Sequence, residues 1–246
     1  MNILTNQNNP NFAEWFEKTQ ENGGFILIDK YEGITSNEVL SILKSHTHFK
    51  KIGHSGTLDP LASGLLIIAC NKYTKLINEL ITENKAYLGT IKLGATTKSY
   101  DRETPEESQI DISHITENQI IELVTKFSGK IEQIPPLHSA KRIGGKRAYE
   151  YARSNSDVEL KSQIVEIYNF EIKSIELPFI NFYIKVSKGF YLRSFARDFG
   201  NEIGVPSYLH SLRRVAIGEY NINNALTIKD FTTNFKNFTE NQYNRN

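Results

Sequence analysis

The sequence predicts an α+β fold, a mixed, largely antiparallel central sheet with helices packed on it. Three observations support this. Residues 163–187 read as antiparallel strands with a turn near Pro178. Apolar alternation over residues 86–93 puts Tyr87, Gly89, Ile91 and Leu93 on one strand face. Helical spacing appears in separate segments, at Val39, Ile42, Leu43 and His46, and again at Ile120, Ile121, Val124 and Phe127. Hairpin-forming strands mixed with separated helices suit a sheet that carries helices.

Residues 1–22 read as an Asn- and Gln-rich extension, with a short helix around Phe12–Phe16 that packs an aromatic or two on the body. Phe25-Ile26-Leu27-Ile28 is an apolar strand, and Thr35 with Glu38 three residues later is a capping box that opens a helix. Leu65–Cys70 is a second buried strand. A helix follows over 73–82, then the strand 86–93, an acidic loop, and a helix over 117–127. Residues from about 129 to 155 turn basic and contain glycine, the pattern of an exposed insertion. After the strands of 163–187, a helix over 190–203 is closed by Gly204, a strand spans 209–222, and a last helix covers 227–234. The expected organisation is an extension (1–22), one domain (23–236) carrying the insertion, and a polar tail (237–246).

Composition narrows the function classes. The net charge is +1, so the overall balance does not mark a nucleic-acid binder, but the charge is segregated. Residues 101–122 are acidic, whereas 141–153 carry Lys141, Arg142, Lys146, Arg147 and Arg153, and 185–214 are again basic. Two basic segments on a near-neutral chain suit a phosphate-tracking surface. No apolar run approaches a bilayer span, the first residues lack the regions of a signal peptide, and the single cysteine, Cys70, sits in an apolar strand. The expected address is the cytoplasm. His46, His48 and His54 lie near one another without a thiolate pair or a carboxylate at ligand spacing, so no metal is expected. Gly53–Thr57 lacks the lysine of a phosphate loop.

The chemistry is expected around Gly53-His54-Ser55-Gly56-Thr57-Leu58-Asp59-Pro60-Leu61-Ala62-Ser63-Gly64. Pro60 keeps Asp59 out of the helical region, and a fixed acid on a glycine-punctuated loop beside a buried strand is a way to present a reactive group. An Asp-Pro turn of this kind also serves as an ordinary hairpin turn, so its reading depends on the rest of the chain. Later in the chain, Tyr87 and the segment Lys188-Gly189-Phe190-Tyr191-Leu192-Arg193 offer aromatics for stacking a base and an arginine for pairing an acid.

Taken together, these segments resemble the TruB-type tRNA pseudouridine synthases. Gly53–Gly64 is similar to that family's catalytic motif, and Gly24–Lys30 with Gly33-Ile34-Thr35-Ser36 to its first motif. Gln133-Ile134-Pro135-Pro136 with Ser139-Ala140-Lys141, Gly145 and Arg147–Glu150 resembles its RNA-gripping insertion. Ser187–Arg193 and Leu212-Arg213-Arg214 resemble later motifs, all in family order over about residues 23–220. Bacterial members of that family commonly continue into a C-terminal PUA-type domain, from which this chain departs, so a short form is expected. The resemblance implies conversion of uridine 55 in the tRNA T loop to pseudouridine by a flipped-base route without cofactor. It implies that Asp59, Tyr87 and Arg193 are catalytic, with Arg193 holding Asp59 ionised and Tyr87 stacking on the base. It further implies that His54, Tyr191, Leu212 and Lys30 bind or border the substrate, that Lys141, Arg142, Lys146 and Arg147 grip RNA phosphates, and that the protein works as a monomer on the T arm.

Overall fold

The computed structural model describes residues 1–8, 11–137, 142–143, 146–147 and 160–243, with backbone alone for 142–143 and 146–147. In chain order its elements are β1 (Ile3–Leu4), α1 (Phe12–Asn22), β2 (Gly24–Lys30), α2 (Ser36–Thr47), β3 (Ile52–His54) and β4 (Ala62–Cys70). After a 3₁₀ stretch at Asn71–Leu76 come α3 (Ile77–Thr82), β5 (Lys85–Leu93), β6 (Thr96–Thr97), β7 (Glu106–Glu107), α4 (Glu117–Lys126) and β8 (Gly129–Gln133). Then follow β9 (Arg142–Ile143), β10 (Lys146–Arg147), β11 (Gln163–Glu176), β12 (Phe179–Val186), α5 (Leu192–Ile203), β13 (Ser207–Ile217), β14 (Tyr220–Asn221), β15 (Leu226–Thr227) and α6 (Ile228–Tyr243). The chain divides into two compact units, Met1–Lys85 with Arg213–Asn246, and Ala86–Leu212. The α+β class and the mixed sheet expected from sequence are both present.

In the first unit the strand order is β1-β2-β4-β13. β2 and β4 pair antiparallel from Gly24↔Cys70 to Lys30↔Gly64, while β1 and β15 share the other edge of β2 in parallel. Both strands read as continuous apolar runs because both faces of this sheet are covered. Ile26, Ile28, Leu66 and Ile68 face Phe12, Trp15, Val39, Leu43 and Phe231. Phe25, Leu27, Leu65 and Ile67 face Leu80 and Ile217. The N-terminal helix is longer than the sequence suggests, and so is α6, because Phe12 and Phe16 meet Phe231, Phe235 and Phe238 in one aromatic cluster. The segment read as one helix over 73–82 is a 3₁₀ stretch followed by a short α-helix.

In the second unit the order is β13-β5-β12-β11-β8. β11 and β12 form the expected hairpin, closed at Leu177-Pro178, and β8 pairs with β11 from Gln163↔Gln133 to Ile167↔Gly129. The first five residues of the segment read as an insertion therefore belong to the sheet. Phe127, Phe170, Phe182, Phe195 and Phe199 pack ring against ring beneath α4 and α5. In α4 the buried positions are Ile120 and Leu123, whereas Ile121, expected inward, is 53% exposed. The buried stripe follows the i, i+3, i+7 spacing of Ile120, Leu123 and Phe127, and that spacing turns Ile121 to solvent. Among the described residues no helix is long and apolar enough to cross a membrane.

Candidate active site

In the first unit, Asp59 sits on the loop between β3 and β4, and most of that loop's fixed points are hydrogen bonds to its backbone. The Asp59 carbonyl accepts from Ala62 N–H at 3.0 Å, which closes the turn that Pro60 initiates. One residue earlier, Leu58 is 3% exposed and is gripped twice by Ser36, the first residue of α2. Leu58 N–H donates to Ser36 Oγ at 2.9 Å, and Ser36 Oγ donates to the Leu58 carbonyl at 3.2 Å. Ser36 itself is held by the capping box of α2, in which Glu38 N–H donates to Thr35 Oγ1 and Thr35 N–H to Glu38 Oε2. The first and second sequence motifs thus meet at a serine that sequence reading had taken only for part of a helix start.

One residue after Asp59, the Pro60 carbonyl accepts from Gly33 N–H at 2.8 Å and from Lys30 Nζ at 3.3 Å. Lys30 is fully buried, and its ammonium also donates to the carbonyls of Ile34 (2.7 Å) and Tyr31 (3.1 Å). Three carbonyls match the three donors of an ammonium. Burial pulls the Lys30 pKa below its ordinary value, and the negative charge of Asp59 opposes that shift. This geometry makes Lys30 a brace of the loop and a positive charge near Asp59. Asp59 is half-buried, so a carboxylate on a loop fixed at 58, 59 and 60 remains within reach of a ligand.

His54 ends β3 and is half-buried. Its Nδ1 accepts from Gly56 N–H at 3.2 Å, which leaves the ring proton of a neutral imidazole on Nε2. Burial first, and then the charge of Arg214, lower its pKa, in keeping with a neutral ring.

In the second unit, Tyr87 lies on β5, 7% exposed, on the strand face that the alternation indicated. Tyr191 is the N-cap residue of α5, and Gln133 clamps its backbone from both sides. Tyr191 N–H donates to Gln133 Oε1 at 2.8 Å, and Gln133 Nε2 donates to the Tyr191 carbonyl at 3.1 Å. Next along the strand end, the Ile134 carbonyl accepts from Ser194 Oγ and Arg197 Nη2. Residues of two motifs far apart in sequence, Gln133-Ile134 and Tyr191–Ser194, are thereby joined.

Arg193 is 6% exposed; its Nε lies 3.6 Å from Asp101 Oδ2, and its Nη1 donates to the Ser99 carbonyl. Asp101 is equally buried, and it is fixed by Ser99 Oγ and Glu103 N–H on Oδ1. Sequence reading places Asp101 in an acidic loop, with no sign of its burial. The signal it passed over is the run Thr97-Lys98-Ser99-Tyr100-Asp101, whose alternate residues Thr97, Ser99 and Asp101 are buried and hydrogen-bonded to one another. Leu212 is half-buried on β13. Of the four expected RNA contacts, Lys141 lies outside the described residues. Arg142, Lys146 and Arg147 stand on the paired strands β9 and β10, with nothing described of their side chains.

Residues 44–192 match the family model described as TruB family pseudouridylate synthase (N terminal domain). A protein of Chloroherpeton thalassium named tRNA pseudouridine synthase B is 46% identical over 213 residues, 85% of this chain and 88% of that one. The protein of the same name from Flavobacterium johnsoniae is 44% identical over 216 residues, covering 85% of this chain and 94% of its own. Among solved structures, the crystal structure of a Cbf5-Nop10-Gar1 complex contains a chain that superposes with a TM-score of 0.73 at 27% identity. That match covers 92% of this chain but only 58% of the solved one. The relatives are matched almost from end to end, and the braced aspartate loop lies inside the matched residues. This chain belongs to the TruB family of pseudouridylate synthases.

Proposed function

We propose that this protein isomerises uridine 55 in the T loop of tRNA to pseudouridine, acting as a monomer in the cytoplasm. The isomerase class follows from family membership, and tRNA is the substrate named for its bacterial relatives. The observation that carries the reading is the Asp59 loop, in which a half-buried carboxylate is held by backbone bonds on both sides. In the reaction the N1–C1′ bond of the nucleotide breaks, C5 bonds to C1′, the C5 proton leaves and a proton ends on N1. No electrons are exchanged. Asp59 acts on the ribose, as nucleophile at C1′ or as the base that takes a sugar proton. Tyr87 stacks on the uracil, Arg193 supplies the fixed cation of the reaction, and His54, Tyr191 and Leu212 border the flipped nucleotide. A base taken out of the stack needs such walls to offset a few kcal/mol of unstacking. Lys141, Arg142, Lys146 and Arg147 hold phosphates of the T arm, so affinity falls as salt rises.

The test is pseudouridine mapping in a synthetic T-arm stem-loop and in the same stem-loop with uridine 55 replaced by cytidine. Product at position 55 of the first and at no other uridine of either is the expected result. Product spread over several uridines, or found only outside the T loop, contradicts the site assignment.

A further inference from the structure

Arg214 is among the largest fully buried side chains, 1% exposed. Its neighbour Arg213 spends its guanidinium on Asp29, with Nη1 at 3.0 Å from Oδ1 and Nη2 at 2.6 Å from Oδ2. Arg214 instead donates from Nε to the Leu65 carbonyl at 2.7 Å and from Nη2 to the Gly56 carbonyl at 3.1 Å. Those two carbonyls flank the loop that carries Asp59, one before it and one after it. A single planar fork therefore bridges both shoulders of the loop, which a flexible point charge cannot do.

Gly64 shows why this arginine can reach them. Its φ is +107°, and a Cβ there would lie 2.2 Å from the Arg214 carbonyl oxygen and 2.6 Å from its nitrogen. The backbones of β4 and β13 come together at this point only because no side chain separates them. The placement also has an electrostatic cost. After burial, the charge of Arg214 is the next cause that lowers the pKa of both His54 and Lys85. A neutral donor could satisfy either carbonyl without that repulsion, but only a fork can reach both. The fork thus brings geometry that packing does not require.

We propose that Arg214 is a positioning residue for the isomerisation: by fixing Gly56 and Leu65 together, it sets the place of Asp59 between them. This rests on the assignment of Asp59 as the reacting group. In this reading Arg214 acts through the loop.

The experiment compares wild type, Arg214→Lys, Arg214→Met and Asp59→Asn. It measures single-turnover pseudouridine formation on a T-arm stem-loop, the Kd for that RNA, and the thermal midpoint. Arg214→Lys keeps the charge but cannot hold both carbonyls. It is expected to fold and to bind RNA as wild type does, while the single-turnover rate falls on the order of 100-fold, as for a reacting group displaced by about 1 Å. Arg214→Met, which leaves the Leu65 and Gly56 carbonyls without these donors, is expected to lose the same rate and to lower the thermal midpoint. A folded Arg214→Lys with an unchanged rate overturns the proposal, as does a rate that falls only in step with Kd. If Arg214→Met does not fold, Arg214→Lys decides; if neither folds, the arginine is a structural group and the proposal fails. Full activity in Asp59→Asn would remove the assignment of Asp59 itself, whereas an inactive Asp59→Asn beside a fully active Arg214→Lys removes only the role of Arg214.

Discussion

The two units hold their central charged residues in opposite ways. In the first, Asp59 stays half-buried, and the bonds that fix its loop run to backbone atoms, from Lys30, Gly33 and Ser36 earlier in the chain and from Arg214 far after it. In the second, Arg193 is buried, and Asp101 and Ser99, which meet it, are separated from it in the chain by β7, α4 and the strands from β8 to β12. The first arrangement presents a carboxylate and keeps it in place. The second immobilises a charge by surrounding it. A loop braced through its backbone tolerates a change of side chain at its tip, whereas a buried ion pair does not tolerate the loss of either member.

That contrast predicts where the molecule breaks. The largest stability effect belongs to the second unit. Asp101→Ala leaves Arg193 buried without this carboxylate and is expected to cost about 3 to 5 kcal/mol in urea unfolding. A loss of under about 1 kcal/mol, the value of an exposed pair, would show that the pair is solvated. Asp59→Ala, by contrast, is expected to leave the unfolding midpoint close to that of wild type.

Next comes Gly64→Ala in the first unit, which combines a positive φ with a Cβ placed against the Arg214 backbone. Strain and overpacking together are expected to cost roughly 3 kcal/mol, read from the denaturant midpoint. An unperturbed midpoint would mean that β4 and β13 can separate there without penalty, and the bracing of the loop would lose its basis.

The smallest effect belongs to a more accessible ion pair of the same unit, Lys92–Glu106, whose side chains are about a quarter exposed (23% and 25%). Hydrogen bonds from Lys92 and then Tyr208 pull the Glu106 carboxyl down to about 2 from its ordinary value of 4.5. Because the folded-state pKa is depressed, the stabilisation is fully present above 4.5 and is lost as pH falls toward 2. Glu106→Gln should therefore be less stable than wild type at neutral pH, by under about 1 kcal/mol since the pair is solvent-screened, and the gap should close in acid. A gap that stays constant from neutral pH to acid would rule out the ionised carboxylate as its source.

How much was legible in the sequence follows the same division. The Asp59 loop could be read as a turn because its glycines, its proline and the Thr35–Glu38 capping box are local devices, each recognisable within a few positions. The doubling of Ser36 as first residue of α2 and clamp on Leu58 was hidden, since a helix start looks the same whether or not a loop docks on it. The burial of Asp101 could not be read because it depends on strands that pair over long separations. Ile121 and Leu123 exchange places in α4 because composition names apolar residues without fixing the phase of the buried stripe. The extent of α6 was missed for a related reason. Its polar residues obscured Phe231, Phe235 and Phe238, which recur at helical spacing and pack against Phe12 and Phe16 from the other end of the chain.

The role proposed for the backbone-braced carboxylate of Asp59, that of the reacting group, is open to direct measurement. The most direct measurement is pseudouridine formation in a T-arm stem-loop under single-turnover conditions with wild type and Asp59→Asn, alongside RNA binding and thermal unfolding of both. The account predicts product from wild type and none from Asp59→Asn, with binding and unfolding unchanged. Equal product from the two proteins would contradict it.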